Sequence, residues 1–165
     1  MQAELLKKMF EYNLAANTRM IELCMNLSDE QLAVEAEGVY GQIKPLLVHT
    51  VRAEGGYIGR LTGKRPWAED LDMDSLSLAE LLEKAKVSGN RFVEIVGDVD
   101  PSKSHTVDAP WGEEYTFFNW TVVLQALYHG IEHRTQIKFL LTKLGVEHPD
   151  FAAWDYMETL PPNSK

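Results

Sequence analysis

The sequence predicts an all-α protein, a four-helix bundle joined by long loops. Three observations carry this. Four long segments, near residues 2–27, 43–61, 78–96 and 119–144, place apolar residues at helical spacing. Each is bounded by capping or helix-breaking residues. Strand-like sequence is confined to a short stretch within 104–117, where the segments flanking Pro110-Trp111-Gly112 form either a small β-hairpin or an excursion with little regular structure. A chain of 165 residues, 45% apolar and 25% charged, can bury one core without staples. A single domain over 1–160 is therefore expected, with 161–165 as a frayed tail.

The elements follow in order. The first segment carries Leu5, Leu6, Met9, Phe10, Leu14, Met20, Ile21 and Cys24 on one side and Lys7, Lys8, Glu11 and Arg19 on the other. Ser28-Asp29-Glu30-Gln31 has the form of a capping box, so the first helix stops near Leu27 and a short one begins after Ser28. Residues 35–42 read as a loop. The second long helix starts near Ile43, where Pro45 fits because a first-turn proline has no hydrogen bond to lose, and ends before Gly63. The acidic stretch 62–76 is a loop. Ser77-Leu78-Ala79-Glu80 is another capping box and opens the third long helix, ended by Gly97, Asp98, Asp100 and Pro101. The fourth runs from Asn119 to Leu144 with Gly145 as its stop, and a short helix is expected within 149–160.

Composition removes several function classes. Sixteen Lys and Arg stand against 25 Asp and Glu, a formal charge of −9, which opposes binding to nucleic acid or an anionic membrane. No stretch approaches the roughly 20 apolar residues of a membrane span. Charged residues at Glu4, Lys7, Lys8 and Glu11 occupy the place of a secretory core. A single cysteine, Cys24, precludes an intramolecular disulfide and a cysteine-based zinc cage. The expectation is a cytoplasmic protein acting on a small molecule.

Histidines carry the chemistry. His129 and His133 lie one turn apart on the stripe Val122, Ala126, His129, His133, Ile137, Leu140, the apolar face of the last long helix. His49 sits on the stripe Leu46, His49, Ala53, Gly56, whose small residues leave space. Facing helices of a bundle bring such stripes together. Either these are hydrogen-bonded core histidines, or they share a cation as a three-nitrogen site with open positions, the pattern of a catalytic rather than a structural metal. His129-Gly130-Ile131-Glu132-His133 also matches H-x-x-E-H, in which Glu132 would be a general base. No Glu-x-x-His occurs, which excludes a di-iron carboxylate bundle. His105 and His148, in loop-like stretches, read as surface residues.

Tyr12-Asn13 with Asn17, the mid-helix His49, and Tyr128-His129-Gly130-Ile131-Glu132-His133-Arg134-Thr135-Gln136-Ile137 resemble the DinB/YfiT-like metalloenzyme superfamily. The likeness covers nearly the whole chain and is strongest over 119–145. It implies an up-down-down-up bundle, often a homodimer, with a divalent metal, zinc or nickel, held by His49, His129 and His133. It further implies thiol-dependent transferase or isomerase chemistry with a low-molecular-weight thiol. Ala15 departs from the pattern, which often carries Trp there.

Three neutral imidazoles would leave a bound divalent ion its full charge, enough to deprotonate a thiol or acidify a water. The first route gives S-transfer to a small electrophile. The second gives hydrolysis, with Glu132 as base. A non-catalytic metal-binding stress protein is the third alternative. Further candidates at the site are Tyr57 at its rim, Arg134 toward a substrate anion or a neighbouring carboxylate, and Asn17 as a lining or supporting residue. Gln125, Gln136, Glu54 and Glu132 are the candidates to orient the imidazoles, although helical register puts Glu54 about 140° from His49 and Glu132 about 100° from His133, where a solvated surface is expected. Trp67, Trp111, Trp120 and Trp154 either roof the site or pack loops onto the bundle. Cys24 reads as core.

Overall fold

The computed structural model describes residues 2–108 and 112–161. Among these residues the chain is mostly helical: α1 (Gln2–Cys24), α2 (Asp29–Leu32), α3 (Ile43–Thr62), α4 (Leu78–Ile95), α5 (Asn119–Lys143) and α6 (Ala153–Thr159). Strands β1 (Ser104–Asp108) and β2 (Glu114–Phe118) stand between α4 and α5 and pair antiparallel, Ser104 opposite Phe118 through Asp108 opposite Glu114. Of the two alternatives the hairpin thus forms, with the Thr106 and Thr116 hydroxyls 2.8 Å apart across it. Its tip at 109–111, including Pro110 and Trp111, lies outside the described residues, as do residues 162–165 of the tail.

Both capping boxes form. Ser28 caps α2 and exchanges hydrogen bonds with Gln31, and Ser77 caps α4 and does so with Glu80. The first of these explains a shorter α1: Ser28 must be extended, so the chain leaves the helix at Cys24 and turns through Met25–Leu27. A short 3-10 turn, Val96–Asp98, follows α4.

Helix α1 packs on α4 and α5, and α3 packs on the same two, so the four long helices close a ring of contacts. Their inner stripes build two apolar clusters. One joins Met20, Ile21 and Cys24 to Leu46, Val51, Leu81, Ile137 and Leu140. The other joins Phe10, Ile58, Phe92, Val123 and Leu127, with Phe10 stacked on Phe92 at 4.4 Å between centroids. Along every long helix a polar residue interrupts the stripe between the two clusters: Asn13 and Asn17 on α1, Glu54 on α3, Ser88 on α4 and Arg134 on α5, all buried.

Candidate metal centre

The two histidines of α5 and the one of α3 meet where those helices pack. His129 Nε2 lies 3.0 Å from His49 Nε2 and 3.1 Å from His133 Nε2. His129 and His133 are buried and His49 is half-buried. His129 Nε2 carries either one proton or one lone pair, so it can make only one of the two contacts as a linear hydrogen bond, whereas a cation between the rings would serve both. Nitrogens held about 2.0–2.1 Å from a common ion are about 3 Å apart when their bonds diverge by about 90–100°. Together the three ligand atoms could hold a metal ion.

Electrostatics and hydrogen bonding prepare the rings for that role. Burial pushes the His129 pKa down to about 4, helped by His133 and His49. Burial also lowers His49, with smaller contributions from His133 and Arg52. Both are neutral near pH 7. His133 Nδ1 donates to Gln136 Oε1 at 3.1 Å, which fixes the proton on Nδ1 and leaves the Nε2 lone pair toward the cluster. The tyrosine rings Tyr57 and Tyr40 stand beside it. Tyr57 meets His129 edge-on at 5.8 Å. Tyr40 lies 5.3 Å from His49 and 5.8 Å from His133 while remaining largely exposed.

Several expected neighbours stand elsewhere. Glu54 is not solvated helix surface but is 5% exposed inside the helices. Its Oε2 accepts from Asn13 and Asn17 at 3.0 and 3.1 Å, and its Oε1 from Ser88 at 2.6 Å. Burial still pushes its pKa up to about 7 against those donors and Arg134. Arg134, 3% exposed, donates to the Asn13 and Asn17 side-chain oxygens and lies over the Tyr12 ring, so it is not available to a substrate anion. Its link to the carboxylate of Glu54 runs through the two asparagines. Asn17 therefore belongs to this network rather than to the histidine cluster. Glu132 occupies the exposed side of α5, so helical register decides against it as a base at the site.

The tryptophans do not roof the histidines. Trp67 lays its ring against Gly55, on the far side of α3. Trp120 lines an apolar groove with Leu6, Met9 and Leu124, and Trp154 is exposed on α6. Trp111 is outside the described residues. His105 and His148 are half-buried rather than free at the surface: His105 bonds Asn119 at 2.9 Å and stacks on Phe117, and His148 bonds Thr142 at 2.9 Å. Cys24 is fully buried, and its thiol is pushed up to about 12.

Asn13, Ser88, Gly130 and Tyr40 had no role on sequence grounds. Ser88 carried a readable signal, a hydroxyl on the apolar stripe Leu81, Ala85, Phe92. Gly130 is needed for close approach: a Cβ there would sit 2.7 Å from Asn13 Oδ1 and 2.9 Å from Arg134 Nη1. Tyr40, in a loop, has no periodicity to place it.

No curated protein matches the chain. The family model described as DinB family matches residues 1–163. That match spans nearly the whole sequence and includes all three converging histidines; the chain belongs to the DinB family.

Proposed function

We propose that this DinB family protein holds one divalent metal ion, zinc or nickel, on His49, His129 and His133, and serves as a thiol-dependent transferase acting on a small electrophile. The convergence of three imidazole nitrogens, two of the pairs at 3.0 and 3.1 Å, carries the reading. A divalent ion bound there supplies a Lewis acid strong enough to deprotonate a low-molecular-weight thiol beside it. The chain contributes the rest. Gln136 holds the His133 tautomer, burial keeps His129 and His49 unprotonated, and Tyr57 stands edge-on beside His129.

The carboxylates count against hydrolysis that relies on a carboxylate base. Base-assisted attack by water calls for a carboxylate facing the cluster, whereas the Glu54 oxygens are engaged by three donors and Glu132 is exposed. A divalent ion held there would let a bound thiol release its proton to solvent without a carboxylate partner.

The ring of contacts among α1, α3, α4 and α5 supports the up-down-down-up bundle as a single domain over 1–160. Exposed Trp120, Leu124, Tyr128, Ile131 and Phe139 on α5 support a homodimer. No helix among the described residues is long and apolar enough to cross a membrane; a cytoplasmic protein belongs to the same reading. Elemental analysis of the purified protein tests the centre: about one divalent ion per chain is expected, and none in His129→Ala with an unchanged circular dichroism spectrum. Full metal content in that variant overturns the ligand assignment.

A further inference from the structure

The face of α3 that carries His49 continues through Ala53 and Gly56 to Arg60, each within about 40° of His49 on the helix. Arg60 does not extend straight into solvent. Its guanidinium folds back so that Nη1 lies 3.7 Å from where a Gly56 Cβ would be, and its Cζ is 6.0 Å from the centre of the Tyr57 ring. Tyr57 in turn meets His129 edge-on. A cationic group is thus held two ring contacts from the histidine cluster.

Arg52, one turn after His49 on the neighbouring flank of α3, is paired with Asp74 at 2.7 Å. Arg91 on α4 is paired with Glu94 at 2.9 Å, and Arg134 is consumed by the asparagines. Arg60 has no carboxylate partner among the described residues, and its contact is with the Tyr57 ring. Arg19 and Arg65 also lack a carboxylate partner among the described residues, and of these three Arg60 alone lies against Tyr57, the ring that meets His129. In a chain of charge −9 with 25 acidic residues, an unpaired guanidinium beside the candidate centre is an available anion site. The side chain is exposed and can reach a ligand without unpacking the core.

We propose that Arg60 is a specificity-determining residue that receives an anionic group, a carboxylate in the first instance, on the far end of the thiol bound at the histidine centre. This rests on the metal-centre reading above and extends it to the substrate class: an acidic thiol, with sulfur and anion separated by a chain spanning the Tyr57 ring. The planar fork of arginine matches a carboxylate in two hydrogen bonds, which a neutral hydroxyl in the same place cannot equal.

Cobalt(II)-loaded full-length protein provides the test, with terminal-thiol mercaptohexanoate and mercaptohexanol as probes. These differ only in the remote group, and the chain is too long for the carboxylate to chelate the metal readily. Sulfur-to-cobalt charge-transfer absorption reads binding of each. The acid is expected to bind roughly three- to tenfold more tightly than the alcohol at low salt, the ratio shrinking as salt is added. Arg60→Ala should bring the ratio near one, and Arg60→Lys should keep part of it. Equal affinities in the unaltered protein, or a ratio that survives Arg60→Ala, overturn the assignment of Arg60 while leaving the metal centre intact. Failure to load cobalt, or no charge-transfer band with either thiol, overturns the centre itself and this inference with it.

Discussion

Two polar clusters share the middle of α3 and α5 and face different ways. The first, Asn13, Asn17, Glu54, Ser88 and Arg134, is closed. Its carboxylate accepts three hydrogen bonds, its guanidinium donates to two amides, and Arg134 Nη2 is its one buried polar atom lacking a partner among the described residues. The second, His49, His129 and His133, is open. His129 Nε2 stands within hydrogen-bond distance of two other ring nitrogens and can make only one of those contacts well. Polar groups that are satisfied by the chain hold helices in register, whereas polar groups that the chain leaves unmatched ask for a ligand. Sequence neighbours fall on opposite sides of this division: His133 belongs to the open cluster and Arg134 to the closed one.

The largest expected effect would break the closed cluster. Arg134→Met leaves Glu54 buried without its countercharge, and should cost about 3–5 kcal/mol in denaturant-induced unfolding. A loss below about 1 kcal/mol would mean the network is not what holds these helices together. By contrast, His129→Ala should scarcely lower the stability of metal-free protein while abolishing metal uptake.

Gly130→Ala comes next. The added methyl drives against Asn13 Oδ1 and Arg134 Nη1, side-chain ends that can move only by giving up their hydrogen bonds, so a cost of about 1–3 kcal/mol is expected from thermal or chemical unfolding. Because Gly130 adjoins His129 in sequence, this variant also asks whether damage to one cluster spreads to the other. Retention of metal with reduced stability would show the two to be separable.

Gln136→Leu sharpens the open side. With the partner of His133 Nδ1 gone, the imidazole is free to change tautomer or rotate, and metal affinity should fall about 10–100-fold. Stability without metal should stay within about 0.5 kcal/mol, since Gln136 is half-buried and lies outside the closed network. Competition with a chromophoric chelator measures the first, and unfolding with chelator present measures the second.

The smallest effect is a dependence on pH that the two clusters push in opposite directions. His129, ordinarily near 6.5, falls to about 4 when folded, so the unfolded chain binds more protons between those values. Its contribution is present above about 6.5 and is lost as pH falls toward 4. Glu54, ordinarily near 4.5, rises to about 7, so the folded chain binds more protons. Its contribution is present below about 4.5 and is lost as pH rises through 7. Metal-free His129→Gln should therefore lose less stability on acidification, and Glu54→Gln should lose less on approaching neutrality. Unchanged slopes in both variants would show that neither group titrates as its burial implies.

How much could be read without coordinates differs between the clusters. Helix limits were legible to within a few residues, because capping boxes at Ser28 and Ser77 and stops at Gly63 and Gly145 act over one turn. The histidines were legible because an imidazole on an apolar stripe is an anomaly that the 3.6-residue period exposes. Glu54 was misplaced because its angle to His49 was the wrong reference. It faces neither His49 nor water but a third direction, toward α1 and α4, and a single helix's register cannot show what packs on its other sides. For Arg134 the alternative of a carboxylate on a neighbouring helix came near the outcome, but that the contact to Glu54 runs through two asparagines of α1 lay beyond the register of α5.

By itself the sequence determined what is local and periodic: the helices, their caps, and the presence of three imidazoles on inward stripes. Tertiary structure decided which polar residues satisfy one another and which do not. Hydrogen bonds between Asn13, Glu54, Ser88 and Arg134 join residues dozens of positions apart. Their existence depends on distances across four helices that no spacing along one chain segment encodes.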